Sequence, residues 1–460
     1  MNLTLNIGLG SYIPLALYGL IILAALLSIF WRPRISLYLL VLLIPLQTTR
    51  SKLDVFPLGA EAVDILWLSV FLGLLLRREP IIRSPRMKGL LIALAVVTYF
   101  SLWRGWLYLG GEPPIRISDQ RFSDWKNYMV MPIIGFMIAW AMRDKKQLKL
   151  VMLFMVLATC VVNWSFFRST AGRDLSHFSY NVRDAGVLGY AGVNGFAAFI
   201  AQLIVLLSTM LFFIREKVVR LALIPLVGFS AYCLLFSFSR GGYLACLLGI
   251  TFMAFFRMRM LLLGVLVLIL GWQAILPAAV QERINMTYDS SDNQLDPSAG
   301  DRVVLWQDAT KLIIQNPIGG AGFDTYQFMR RVGPYGDTHN YYLKVLVETG
   351  LIGFCLLLAI LFNMWRLGFR LFRSTDDLFL QGLGLGFASL ILCAAAANLF
   401  GDRWTYLQVD GYIWVLLGCV MSAKQIVETQ ELEKAADGPV LTQVEPRPVN
   451  HAGVAYVSQS

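Results

Sequence analysis

Four basic side chains of this 460-residue chain stand where apolar runs meet polar loops, and their chemistry suits an anion and a proton. Arg240 lies in a tight turn and is followed by two glycines, so it could hold a phosphate through paired hydrogen bonds. The alternative is an arginine that reaches toward lipid headgroups. Arg302 opens a predicted loop helix, where a surface charge paired with Asp301 is the other interpretation. Arg183 precedes a run that contains Asn194, and both are weaker candidates for the same site.

His339 is the fourth side chain, because His177 and His451 lie in a loop and in the polar C-terminal segment. An imidazole exchanges protons near neutral pH, so His339 is a candidate general base, with a helix cap as the alternative. It opens a predicted helix on which Lys344 and Glu348 are four residues apart and share a face. Helix geometry places Glu348 on the side opposite His339 and about 13 Å deeper. Lys344 and Glu348 are therefore predicted to make structural ion pairs, with each other or with a neighbouring helix.

The composition indicates the elements that must position these residues. The chain is 57% hydrophobic and only 15% charged, and a typical soluble domain has about a quarter charged residues. Apolar runs of roughly 17–25 residues recur along the chain, the length that crosses a hydrocarbon core. All six cysteines fall inside these runs without metal-ligand spacing, so we expect no disulfide framework and no metal. Basic residues cluster in short loops between the apolar runs, which argues against nucleic-acid binding despite a net charge of +10.

The run lengths predict an all-α integral membrane fold of about 12–13 transmembrane helices, within a membrane domain over residues 1–422. Basic residues fall in alternate short loops, which the positive-inside rule places in the cytoplasm. The thirteen expected spans are residues 12–30, 35–49, 59–76, 88–108, 127–142, 148–167, 192–214, 219–237, 241–256, 260–278, 340–365, 379–400 and 404–422.

Residues 279–339 are predicted to form one large periplasmic loop. Loops this long are usually functional or disordered, and the helical periodicity of this one indicates that part of it is folded. Residues 301–314 are expected to form an amphipathic helix on the membrane surface, ended by turn residues in 316–322. The polar, proline-containing segment 423–460 is expected to be a disordered cytoplasmic tail.

The segment that begins at His339 resembles the signature of the bacterial O-antigen ligase and O-antigen polymerase superfamily. The resemblance extends over about residues 185–400 and includes the Arg240 turn and the Arg302 loop. In the signature itself it rests on His339, Asn340, Leu343, Leu346, Glu348, Gly350 and Gly353.

The resemblance implies a multi-pass glycosyltransferase of the bacterial inner membrane with a GT-C-like helical fold. Such enzymes pass a glycan from undecaprenyl diphosphate to a sugar hydroxyl on the periplasmic face, inverting the anomeric centre, without a metal or other cofactor. The acceptor is lipid A-core for a ligase or another lipid-linked repeat for a polymerase, and the sequence favours neither. Membrane lipids and polysaccharide assembly proteins are the other implied partners. A flippase for lipid-linked oligosaccharides is the alternative, although most charges lie at span ends and not at mid-membrane depth.

Within that resemblance, the candidate residues receive different roles. Catalysis is assigned to His339, which would orient or deprotonate the acceptor hydroxyl, and to Arg240 and Arg302, which would stabilise the leaving diphosphate. Substrate binding is assigned to Arg183, Asn194 and Asn340. Structural roles are assigned to Lys344, Glu348 and Gly350.

Overall fold

The computed structural model describes residues 12–81, 84–116, 119–286, 288–289, 294–295, 297–333 and 335–436. Almost all ordered backbone in these residues is helical, as apolar runs require when each segment must satisfy its own peptide groups. The predicted all-α membrane architecture is therefore confirmed.

Seventeen α-helices are present in the described residues, with short 3₁₀ helices at Ser51–Val55, Gly59–Glu61, Tyr180–Val182, Gly186–Ala191 and Asn398–Phe400. A two-residue strand, β1 (Tyr288–Asp289), pairs antiparallel with β2 (Gln294–Leu295). The helices are α1 (Tyr12–Phe30), α2 (Arg34–Leu43), α3 (Gln47–Arg50), α4 (Ala62–Leu76), α5 (Pro85–Leu109), α6 (Gln120–Ala141), α7 (Lys145–Thr170), α8 (Gly192–Leu211), α9 (Lys217–Leu235), α10 (Arg240–Arg257), α11 (Met260–Ile275), α12 (Ala278–Asn285), α13 (Pro297–Gln315), α14 (Tyr326–Met329), α15 (Tyr341–Ser374), α16 (Leu378–Ala397) and α17 (Leu407–Ala436).

By length and composition, fewer helices than the expected twelve or thirteen qualify as candidate membrane spans. Each expected span contains a helix, but within the described residues only eight helices are long and apolar enough to cross a membrane. The bent pair α11–α12 raises the number to nine. The expected span at 35–49 fails by length, because α2 has 10 residues and is about 15 Å long. Pro45 follows soon after its end and has no backbone N–H with which to continue the helical hydrogen bonds.

The centre of the bundle is formed by α8 and α16. In the most apolar stretches of these two helices, 78% and 72% of the residues are buried. Helix α16 packs against α8, α10 and α15. A Cβ on Gly368 of α15 would lie 2.8 Å from the carbonyl oxygen of Gly384 of α16, so only glycine permits this approach. Small residues commonly allow such close packing between membrane helices.

Helix α15 is broken at Gly350, where φ is 61°. The loop after α13 fills the break: Ala321 N donates to Val347 O at 2.8 Å, and Leu351 N donates to Pro317 O at 2.9 Å. These bonds satisfy backbone groups that the interrupted helix leaves open. A Cβ on Gly350 would overlap the backbone of Ile318, so the close approach of this loop requires glycine at the break.

The loop helix α13 is longer than the expected 301–314, and its apolar face is covered by protein. Leu305, Ala309 and Leu312 are fully buried, and the last two cluster with Tyr326 and with Val347 of α15. A protein-covered face explains the helical periodicity without a membrane surface.

The C-terminal helix α17 continues to Ala436, so the prediction of a disordered tail was wrong for residues 423–436. This stretch is rich in strong helix formers, and Lys424 and Glu428 form an ion pair of 3.2 Å one turn apart. Residues 437–460 of the expected tail lie outside the described residues.

Candidate active site

Among the described residues, five arginines from separate segments and a single carboxylate, Asp301, line one cavity of about 160 Å³. We call it the arginine cavity. Four of these arginines lie near helix ends. Arg240 begins α10, Arg283 lies near the end of α12, and Arg183 and Arg403 precede α8 and α17. Its cationic lining consists of Arg183, Arg240, Arg283, Arg302 and Arg403, and His339 also lines it.

Asn194, in the first turn of α8, joins two parts of the cavity. Its Oδ1 accepts hydrogen bonds from Nη2 of Arg183 at 3.0 Å and from Oγ of Ser239 at 2.9 Å. Arg183 also donates to the carbonyl oxygen of Ser237 at 3.4 Å. Asn194 therefore holds Arg183 against the turn that leads into α10, and it does so through an uncharged oxygen.

The arginine cavity has a surplus of positive charge. Burial lowers the pKa of Arg183 to about 10, and the nearby charges of Arg283 and Arg240 act in the same direction. Burial likewise lowers the pKa of Arg403. Each shift means that the folded protein disfavours the charged form, a cost that a bound anion would offset.

The Arg240 turn is built by its neighbours. Phe238 is fully buried with φ of 54°, a left-handed conformation that is unusual for an aromatic residue and is found mostly at strained sites. The backbone N–H of Gly242 donates to Oγ of Ser239, which caps α10. A Cβ on Gly241 would lie 3.1 Å from Phe400, and one on Gly242 would lie 2.8 Å from Ala197. The two glycines line the cavity. Their lack of a side chain also allows Phe400 and Ala197 to pack closely against α10.

His339 has an acidic partner two residues earlier in the chain. Its Nδ1 lies 2.7 Å from Oδ1 of Asp337, and its ring meets Tyr335 edge-on with centroids 5.5 Å apart. Burial alone would raise the pKa of Asp337, but hydrogen bonding and charge from His339 lower it to about 2. An ionised Asp337 can accept a hydrogen bond from an Nδ1–H of His339, and in that tautomer Nε2 is the nitrogen that accepts a proton.

The structure corrects the expected position of His339 in the helix. Helix α15 begins at Tyr341, and the N-cap residue is Asn340, whose Oδ1 accepts hydrogen bonds from the backbone N–H groups of Tyr342 and Leu343. His339 lies before the cap with φ of 50°. Asn340 thus shapes the turn that presents His339, and it is not among the residues that line the arginine cavity.

Lys344 and Glu348 are buried, but they do not form an ion pair with each other. Nζ of Lys344 lies 2.9 Å from Oδ2 of Asp402 and 3.5 Å from Oδ1 of Asp324. Oε1 of Glu348 is buried without a hydrogen-bond partner among the described residues. Lys344 therefore connects α15 to the segments before α14 and before α17, and its partners lie in loops and not in a neighbouring helix.

A second cavity lies on the other side of the His339–Asp337 pair, with a volume of about 1040 Å³. We call it the acidic cleft. Its lining includes three cationic side chains, Arg50, Lys126 and Lys344. Seven carboxylates outnumber them: Asp54, Glu61, Asp64, Asp124, Asp324, Asp337 and Asp402.

The structure brings most of the candidate residues together. Arg183, Asn194, Arg240, Arg302 and His339 all line the arginine cavity. Sequence reasoning missed four contributors, and the signals for them were present but weak. Arg283 and Arg403 stand at helix ends like the arginines that were found, while Asp337 and Tyr335 lie within four residues of His339.

Comparison with known proteins identifies part of this region. Residues 225–358 match the model of the O-antigen ligase family. No curated protein matches the chain. The matched stretch contains Arg240, Arg302 and His339, whereas Arg183 and Asn194 lie outside it. Over these residues the chain is similar to the O-antigen ligase family, and the structure around them is that of an all-α membrane protein.

Proposed function

We propose that the protein transfers a glycan from undecaprenyl diphosphate to an acceptor sugar hydroxyl at the periplasmic face of the bacterial inner membrane. The observation that carries this proposal is the convergence of five arginines and His339 on the arginine cavity. Five cations against one carboxylate among the described lining residues suit the diphosphate of such a donor, because arginine binds phosphate oxygens through two parallel hydrogen bonds. The family match supports the same class of reaction.

The proposed step is an inverting displacement at the anomeric carbon. The acceptor oxygen forms a bond to that carbon while its proton passes to Nε2 of His339. The bond between the anomeric carbon and the diphosphate oxygen breaks, and its electron pair leaves with the diphosphate. Arg240 and Arg302 would stabilise the negative charge that grows on the leaving group. Asp337 would stabilise the imidazolium that forms.

Transfer in proteoliposomes tests this proposal, with an undecaprenyl-diphosphate glycan as donor and an acceptor glycan supplied in excess. We expect His339→Ala to lower the transfer rate by about 10²- to 10⁴-fold, the usual contribution of a positioned general base. His177→Ala is the matched control, because His177 is 78% exposed at its side chain, pairs with Glu282 and lines neither cavity.

Normal product formation by folded His339→Ala would remove His339 from the mechanism. Movement of the lipid-linked glycan across the bilayer without any transfer by the wild-type protein would contradict the enzyme proposal as a whole.

A further inference from the structure

We propose that the acidic cleft binds the acceptor, and that the sugars it takes are uncharged and rich in hydroxyl groups rather than phosphorylated. This inference rests on the proposed glycosyl transfer and assigns its second substrate to a separate cavity. The cleft, at about 1040 Å³, is near the upper end of the range for ligand sites, about 300 to 1,000 Å³. The arginine cavity, at about 160 Å³, suits a compact anion but not an oligosaccharide.

The charge of the cleft indicates which of the two substrates it can bind. Seven carboxylates against three cations give the cleft a negative potential, which repels a diphosphate and any phosphorylated sugar. Neutral hydroxyl groups suffer no such repulsion, and each can donate a hydrogen bond to a carboxylate.

Two buried polar atoms of the cleft point to the same ligand chemistry. Oε1 of Gln47 and Nε of Arg50 are buried without a hydrogen-bond partner among the described residues. They stand three residues apart on α3, so their side chains share a face, and both line the cleft. One atom needs a donor and the other an acceptor. A hydroxyl group offers both, whereas an ionised phosphate cannot donate to Gln47.

The cleft also offers an aromatic surface. Tyr190 lines it and is 75% exposed, so its ring is available to pack against the apolar face of a sugar. Gln120, Asn127, Gln327 and Gln408 add amide groups, which both donate and accept hydrogen bonds.

The position of the cleft relative to the base fits an acceptor. Asp337 lines the acidic cleft, and its partner His339 lines the arginine cavity, so the two cavities meet at this pair. An inverting displacement requires the acceptor hydroxyl and the diphosphate on opposite faces of the anomeric carbon, and separate cavities for the two substrates that meet at this pair are compatible with that arrangement.

Binding to a glycan array tests the inference without any transfer reaction. The probe is an array that carries oligosaccharides in neutral and phosphorylated pairs, incubated with the full chain in lipid nanodiscs. We expect the neutral member of a pair to be preferred. Arg50→Gln should weaken that binding about tenfold, the effect of losing one hydrogen bond to a charged group. Lys52→Gln is the control, because Lys52 is an exposed cation of the same segment that does not line the cleft.

A second pair of variants changes exposed tyrosines and leaves the buried side chains of α3 intact. Tyr190→Ala removes a largely exposed ring and should weaken the same binding, while Tyr108→Ala removes a ring that is 46% exposed and lines neither cavity. Preference for phosphorylated sugars, no binding of any neutral sugar, or unchanged binding by both Arg50→Gln and Tyr190→Ala would overturn the inference.

Transfer kinetics separate this inference from the proposed function. If the wild-type protein transfers glycan and Arg50→Gln raises the acceptor KM about tenfold with an unchanged donor KM, both hold. If transfer is normal but the acceptor KM does not move, only the cleft assignment fails. If neutral sugars bind as expected but no transfer occurs, only the enzyme proposal fails.

Discussion

The arginine cavity and the acidic cleft lie on either side of the His339–Asp337 pair, and they differ in how their charges are balanced. In the acidic cleft, Nζ of Lys126 lies 2.9 Å from Glu61 and 2.6 Å from Asp64. In the arginine cavity, Arg183 donates only to uncharged oxygens among the described residues. Two of the cleft's three cations are therefore paired within the protein, whereas the charge of Arg183 remains available for a ligand.

This difference separates residues that stabilise the fold from residues that would serve a substrate. A buried cation with carboxylate partners holds elements together, and its removal leaves uncompensated charge. A cation surrounded by other cations costs the folded state energy and is kept for another reason, as at many functional sites. Substitution of a paired cation in the acidic cleft should therefore lower stability, whereas substitution of Arg183 in the arginine cavity should mainly weaken transfer.

Lys344 should give the largest effect on stability. Lys344→Met removes the cation that pairs with Asp402 and Asp324 and leaves their carboxylates buried without it. We expect a loss of about 3–5 kcal/mol in the free energy of unfolding, the usual cost of removing one partner of a buried pair. Equilibrium unfolding in mixed detergent micelles measures this loss.

Lys126→Met is the matched control within the same cleft. Lys126 also has two carboxylate partners, but its side chain is 26% exposed and that of Glu61 is 45% exposed, so water can replace the lost pair. We expect a loss of at most about 1 kcal/mol. Equal losses for the two lysine variants would show that burial does not distinguish them.

Arg183 should behave in the opposite way. Arg183→Gln removes a charge that burial and the neighbouring arginines disfavour, so stability should fall by no more than about 0.5 kcal/mol, as for a surface substitution. The donor KM should rise by about 10- to 100-fold, because a charged hydrogen bond to phosphate contributes about 1.5–3 kcal/mol. Unfolding and transfer are measured on the same preparation. A large loss of stability with an unchanged donor KM would make Arg183 a structural residue.

The arginine cavity was largely predictable from the sequence, because its signal is local. An arginine or histidine at the boundary of an apolar run is conspicuous, and that criterion together with the family resemblance singled out Arg240, Arg302 and His339. Their convergence was not predictable, since it depends on how α8, α10, α13 and α15 pack. Asp337 was missed because the search for a partner of His339 considered the helix after it and not the turn before it.

The acidic cleft could not be predicted, because each of its residues has an ordinary local explanation. Asp64 and Lys126 lie in different helices, α4 and α6, and nothing in their spacing indicates that they meet. The expected span at residues 35–49 failed for a related reason. Apolar runs fixed where helices form, but α2 shows that an apolar run interrupted by a proline can pack as a short helix inside the bundle.

Asn194 should give the smallest of these effects, and it tests whether position matters in the arginine cavity as well as charge. Asn194→Ala removes the oxygen that accepts hydrogen bonds from Arg183 and Ser239, but it leaves every arginine in place. We expect the donor KM to rise about fivefold, equivalent to about 1 kcal/mol, because Arg183 must then be ordered by the substrate. Asn163→Ala is the control, since Asn163 bridges to Ser230 at 2.8 Å inside the bundle and lines neither cavity. That control should lower stability without moving the donor KM. If the two variants change the donor KM equally, the effect of Asn194 is a general loosening of the bundle, and the cavity acts through its charge alone.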